Sequence, residues 1–193
     1  MADIRPQRAD AVRNRTRILE AAREQITLHG PDVPMDAIAE AADVAVGTLY
    51  RHYPTKTALV AAVLAEHVDQ MADDIETAYA HVQAGARPLD ELTDLVARII
   101  ESAARDHAVK AAAQRFGAAQ YPPEHEQRGF AAMNRIIAAA QADGDLHPDV
   151  TADDVALLLA TAPLDQSPQI RTRWLALVFR GFTTHPPPHP PRP

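Results

Sequence analysis

The chain contains no cysteine, which excludes disulfide staples and thiolate metal sites alike. Aromatic residues make up 5% of it, and glycine occurs seven times in 193 residues. No apolar run approaches the ~20 residues that a membrane-spanning helix needs. The opening stretch MADIRPQRADAVRNR is charged and has no apolar segment, so it does not predict a secretory leader. A cytoplasmic protein is expected. Nor is there a basic excess: the formal net charge is -7, which taken alone argues against a polyanion partner.

What is present is helix-forming sequence, rich in alanine, with 47% hydrophobic and 23% charged residues, ordinary for a globular protein. The length suffices for one or two domains with their own cores. The charge is also unevenly spread. Residues 1–56 hold eight Lys/Arg and eight Asp/Glu and balance to zero, so the remaining residues carry the whole acidic excess. Arg5, Arg8, Arg13, Arg15 and Arg17 fall within the first 17 residues. They mark either a basic arm or a solvated helix face.

Every patterned segment has helical period. Ile18, Ala22 and Ile26 recur every four within residues 9–29, and Gly30-Pro31 stops that helix. A short helix follows at 35–42, then a turn at 43–45, then a second short helix at 46–53 ended by Pro54. Thr55 is placed to cap a long helix with the stripe Val60, Leu64, Val68, Met71, Ile75 and Tyr79. Further helices are read around 89–103, 107–119 and 130–140, the last stopped by Gly144. Thr151 and Asp154 form a capping-box pattern, and Ser167-Pro168 a cap followed by proline at the first helical position. The proline-rich end, THPPPHPPRP, is expected to be disordered or polyproline. The expected fold class is all-α, with about nine helices.

The stretch VGTLYRHYPTK, residues 46–56, gathers two aromatics and two fixed cations beside a histidine. Two short helices joined by a three-residue turn form a helix-turn-helix layout, here about 34–53. Helical spacing turns Leu49 and Tyr53 inward with Val44 and Ile38. Gly47 lets a backbone approach another molecule, and Tyr50, His52, Thr55 and Lys56 offer donors to phosphate. The competing reading is an ordinary packed helix pair with a solvated face.

ILEAA at 18–22 and IAEAADVAVGTLYRHYPTKTAL at 38–59, with the T-L-Y-x-H-[FY]-x-x-K pattern from Thr48 to Lys56, resemble TetR-family transcriptional regulators. The resemblance implies a flexible basic arm at 1–10, a three-helix DNA-binding domain at 11–71 and a ligand-binding and dimerisation domain at 72–183, followed by the tail at 184–193. It implies DNA contacts at Val46, Gly47, Thr48, Tyr50, His52 and Lys56. Tyr50, His52 and Lys56 would hold phosphates, with the first three facing base edges. It also implies a small-molecule pocket, for which Tyr79, Phe116, Tyr121, Phe130 and Met133 are the candidate lining. Asp43 stands where relatives carry glycine in the turn, Ala45 where they carry a Ser or Thr cap, and Asp36 where many carry a basic residue.

The helices at 152–162 and 168–182 are apolar on more than one side. Ile170, Trp174, Leu177 and Val178 share one face of the latter, and Leu175, Phe179 and Phe182 a second. Two apolar faces need two partners, and a homodimer through a four-helix interface supplies the second. No catalytic constellation is evident, and no cofactor is expected. Glu124, His125 and Glu126 are adjacent and diverge around a helix, while His185 and His189 lie in the proline tail, so no metal site is expected. The function this predicts is a ligand-responsive regulator, a repressor binding a palindromic operator on double-stranded DNA and released by a small molecule. The alternative is a helical small-molecule carrier or enzyme with a vestigial helix-turn-helix.

Overall fold

The computed structural model describes residues 4–118 and 123–184. Among them are nine α-helices and no strand beyond a single bridge between Leu146 and Thr183. In chain order these are α1 (Ile4–His29), α2 (Met35–Ala41), α3 (Val46–His52), α4 (Lys56–Gln83), α5 (Pro88–Arg105), α6 (His107–Arg115), α7 (Pro123–Ala142), α8 (Ala152–Ala160) and α9 (Pro168–Phe182). No helix among the described residues is long and apolar enough to cross a membrane.

The ends follow the local chemistry. Gly30 and Gly144, at φ of 81° and 78°, close α1 and α7 in the left-handed conformation that a Cβ disfavours. Thr55 Oγ1 accepts from the Ala58 N–H at 3.0 Å and so caps α4. At α8 the capping box is complete: Thr151 N–H donates to Asp154 Oδ2 at 2.8 Å and Asp154 N–H to Thr151 Oγ1 at 3.2 Å. The Thr151 hydroxyl, donating to Asp154 Oδ2 at 2.6 Å, and then the Thr151 N–H hold the Asp154 carboxyl below the usual aspartate range. Ser167 does occupy the N-cap of α9, but its side chain caps nothing; Pro168 alone sets that start. One boundary differs more widely. Helix α1 begins at Ile4, five residues before the start expected at residue 9.

The chain divides into two compact units, residues 1–68 with 105–122, and 69–104 with 123–193. The first has a core of Ile18, Ala22 and Ile26 from α1, Ile38 from α2, Leu49 from α3, Leu59, Val60 and Val63 from α4, and Val109, Ala112 and Ala113 from α6. Beneath this core edge lies a polar cluster. The Asp106 carboxylate, just before α6, takes His67 Nδ1 of α4 at 2.8 Å and Arg23 Nε of α1 at 3.3 Å. Burial pushes the Asp106 carboxyl up, but the His67 hydrogen bond and the charges of Arg23, His67 and Arg105 outweigh it and hold the group below its ordinary value.

The second unit packs Ile75 and Ala78 of α4, Leu92, Leu95, Val96 and Ile100 of α5, Met133, Ile136 and Ile137 of α7, Val155 and Leu158 of α8, and Leu175 and Phe179 of α9 into one core. Helix α7 packs tightly on α4 at Gly129, where a Cβ would meet Ile75 Cδ1 at 3.3 Å. Arg171, buried on α9, donates from Nε to Glu101 Oε1 of α5 at 2.8 Å and also bonds the Gln166 carbonyl.

Candidate nucleic-acid interface

The geometry of the interface begins with its turn. Ala42 N–H donates to the Ile38 carbonyl at 2.9 Å and Val44 N–H to the Ala39 carbonyl at 3.0 Å, which folds the chain back off α2. Between them Asp43 sits at φ 51°, the one non-glycine residue with positive φ among the described residues. A short polar side chain tolerates that region better than most. Arg17 Nη2 of α1 binds both the Asp43 carbonyl, at 3.0 Å, and its Oδ2, at 2.6 Å. This pins the turn to the first helix.

Ala45 then takes the extended conformation at the N-cap of α3, with no side chain to cap it. Leu49 is the anchor of α3, with 0% of its surface exposed. Tyr53 packs beside it at the helix end, and burial raises its phenol above the ordinary value against a hydrogen bond from Arg15. Arg17 therefore braces the turn before α3, the Arg15 charge lies close to Tyr53 at its end, and Arg13 pairs with Asp10. The placement of Arg15 and Arg17 was not legible in the sequence, because Tyr53 and Asp43 lie 38 and 26 residues away.

Of the six predicted DNA-contact residues, Val46, Gly47, Tyr50 and His52 are exposed on one short helix, Val46 by 40% and Tyr50 by 44%. Thr48 is half-buried, and its Oγ1 accepts from Arg51 Nη2 at 3.0 Å. Lys56 is placed differently. Its stem is half-buried at the start of α4 and its ammonium donates to the Val33 carbonyl. Burial lowers its pKa, opposed by the nearby Asp32 carboxylate. Lys56 thus ties α4 to the loop before α2, and Arg115 Nη1 of α6 pairs with Asp32 of that loop at 3.0 Å.

Of the five expected pocket residues, four lie among the described residues. Tyr79 and Met133 belong to the second unit, where the Arg135 guanidinium lies 5.4 Å above the Tyr79 ring. Phe116 packs instead on the core of the first unit, because α6 folds against α1. Phe130 is 41% exposed, being on the flank of an α7 stripe whose inner places go to Gly129, Ala132 and Met133. Tyr121 lies outside the described residues, as do the side chains of Glu124, His125 and Glu126 and the whole tail at 185–193. Among the described residues no group of three His, Asp or Glu is placed to hold a metal ion.

Two family profiles match the chain. Residues 18–63 match bacterial regulatory proteins of the tetR family, and residues 87–184 match the C-terminal domain of SbtR-like transcriptional regulators. The chain belongs to the TetR family. Among solved structures, the TetR transcription regulatory protein from Mycobacterium vanbaalenii is similar at a TM-score of 0.72 and 35% identity, over 93% of this chain and 100% of that one. A TetR transcriptional regulator from Streptomyces coelicolor gives 0.69 and 28%, over 88% and 98%. Among curated proteins, the HTH-type transcriptional repressor KstR of Rhodococcus jostii is 33% identical over 133 residues. That match covers 67% of this chain and only 60% of that relative. The family membership makes this TetR-type chain a transcriptional regulator, and α2, the turn and α3 lie within the residues that match the tetR regulatory profile.

Proposed function

We propose that this TetR-family protein is a repressor that binds a two-fold symmetric operator as a homodimer and leaves it when a small molecule binds the second unit. The observation that carries this reading is α3. A seven-residue helix presents Val46, Gly47, Tyr50, Arg51 and His52 outward while Leu49 and Tyr53 anchor it. Val46 offers apolar contact, for instance to a thymine methyl, and Tyr50 and His52 offer donors to phosphate. In this reading Lys56 contributes its positive charge near the duplex while its ammonium braces the domain. The similarity to a named repressor favours repression over activation.

The dimer is supported by the outer face of α8 and α9. Leu175 and Phe179 fill the core of the second unit, while Leu157, Ile170 and Leu177 are exposed by 64%, 48% and 48%. A second copy laying the same helices against this ridge buries it in a four-helix interface. Two recognition helices in such a dimer read half-sites about one DNA turn, ~34 Å, apart. Release follows if the ligand binds two states with different affinity and α4 carries the difference. That helix runs without interruption from Lys56, just past α3, to Gln83.

The test is a footprint of the purified protein on the DNA flanking its own gene, at two salt concentrations. A protected two-fold patch that weakens steeply with salt is the expected result. Absence of protection there, and of any enriched site in a genome-wide selection, sinks the reading and favours a helical carrier.

A further inference from the structure

The seven residues of α3 can be ordered by how directly they point away from the domain. At about 100° per residue, Gly47 and Arg51 each lie about 160° around the helix from Leu49. Leu49 is fully buried, so these are the two outermost positions. Val46 and Tyr50 sit nearer the flank, at about 60° and 100°. Gly47 has no side chain, and a Cβ there would meet nothing within 4 Å. Arg51 is therefore the sole side chain on the outer ridge of the helix.

The other cations around α3 are turned to internal work. Arg17 holds Asp43 and Lys56 holds the Val33 carbonyl, while the Arg15 charge lies close to the Tyr53 phenol. Arg51 is exposed, and its partner among the described residues is the Thr48 hydroxyl, 3.0 Å from Nη2. Helical side chains lean toward the N-terminus, so the guanidinium lies back along the ridge toward the space that Gly47 leaves open.

We propose that Arg51 is the principal base-reading side chain of this regulator and that it takes a guanine in the major groove, its paired N–H groups donating to O6 and N7. The proposal rests on the reading of α3 as the recognition helix. The outermost ridge of a helix in the groove faces the base edges, whereas its flanks face the phosphate walls. A guanidinium fork matches the two guanine acceptors, and none of Val46, Thr48, Tyr50 and His52 offers two parallel donors. The Thr48 hydroxyl is the resting partner in the free protein. It restrains the fork before binding and so reduces the ordering cost of the contact.

The test is selection from a random duplex library with the full chain as wild type, Arg51→Ala and Arg51→Lys, with helicity checked by circular dichroism. Wild type is expected to enrich a guanine at one symmetric position of each half-site. Arg51→Ala should keep the flanking preferences and lose that guanine preference by roughly ten- to hundredfold. Arg51→Lys, which keeps the charge and loses the fork, should fall between the two. An Arg51→Ala protein that enriches the same guanines, binding all sequences more weakly with a salt slope smaller by about one, would make Arg51 a phosphate contact and overturn the proposal. Enrichment of no sequence by the wild type would bring down the recognition-helix reading itself, and the role of Arg51 with it.

Discussion

The two units hold their helices by different means. In the first, α2 and α3 have seven residues each, too short to persist alone in water. Side chains from other elements fix them: Arg17 on the turn, and Lys56 and Arg115 on the loop before α2. In the second, helices of 18 and 20 residues meet along continuous apolar stripes, and an ion pair such as Arg171 with Glu101 adds to a core that already exists. The contrast teaches where damage should show. A lost tie in the first unit should displace a recognition surface, whereas a lost exposed apolar residue in the second should leave the protomer folded and change what it assembles with.

The largest effect on folding is expected at Leu49→Ala. Removing the one fully buried side chain of α3 should cost about 2–5 kcal/mol in thermal or denaturant unfolding and take DNA binding with it. Asp106→Asn comes next, at about 1–3 kcal/mol, because the buried carboxylate that accepts from His67 and pairs with the Arg23 charge is lost. Its pH dependence has a definite sign. The folded-state pKa of Asp106 is depressed, so its contribution is complete above the unfolded value of about 3.9 and disappears as pH falls through the lower folded value. Urea midpoints from pH 6 to pH 2 should therefore converge between wild type and Asp106→Asn at the acid end.

Smaller still is Arg17→Ala, at about 1 kcal/mol, since the pair is largely exposed and the bond to the Asp43 carbonyl supplies most of the effect. Its sharper consequence is a severalfold loss of operator affinity, measured by fluorescence anisotropy. Asp43→Gly removes the carboxylate and keeps the carbonyl bond while relieving the left-handed cost, so it should lie within about 0.5 kcal/mol of wild type. The smallest effect on the protomer is expected for Leu177→Asp, whose site is exposed. Sedimentation should then find monomers with an unchanged near-ultraviolet spectrum. Leu177→Asp protein that stays dimeric breaks the comparison.

These expectations also mark what could be read in advance. Helix order followed from apolar period: Ile18, Ala22 and Ile26, then Val60, Leu64 and Val68, all turn inward as their spacing requires. The Thr55 cap and the Thr151–Asp154 box were legible because both partners lie within one turn. Leu49 and Tyr53 were legible for the same reason. The arginine ties were not, since Arg15, Arg17 and Arg115 find partners that only the fold brings near. Lys56 was read as a surface cation because spacing cannot say that a long side chain bends toward a carbonyl 23 residues back. The core that Phe116 joins was not legible either, because an alanine-rich helix gives no sign of which core it will meet. Arg51 was visible on an outer face, but its meaning depended on Gly47 being open and on the neighbouring cations being engaged.

In the proposed dimer a reading helix in one unit works with an assembly face in the other, and stoichiometry tests that union most directly. Sedimentation equilibrium of the protein on a short duplex carrying its selected site should give two protomers per duplex, with Leu177→Asp reducing affinity by orders of magnitude while Arg51→Ala leaves the stoichiometry at two. A single protomer bound with full affinity, or Leu177→Asp protein binding as wild type does, would contradict it.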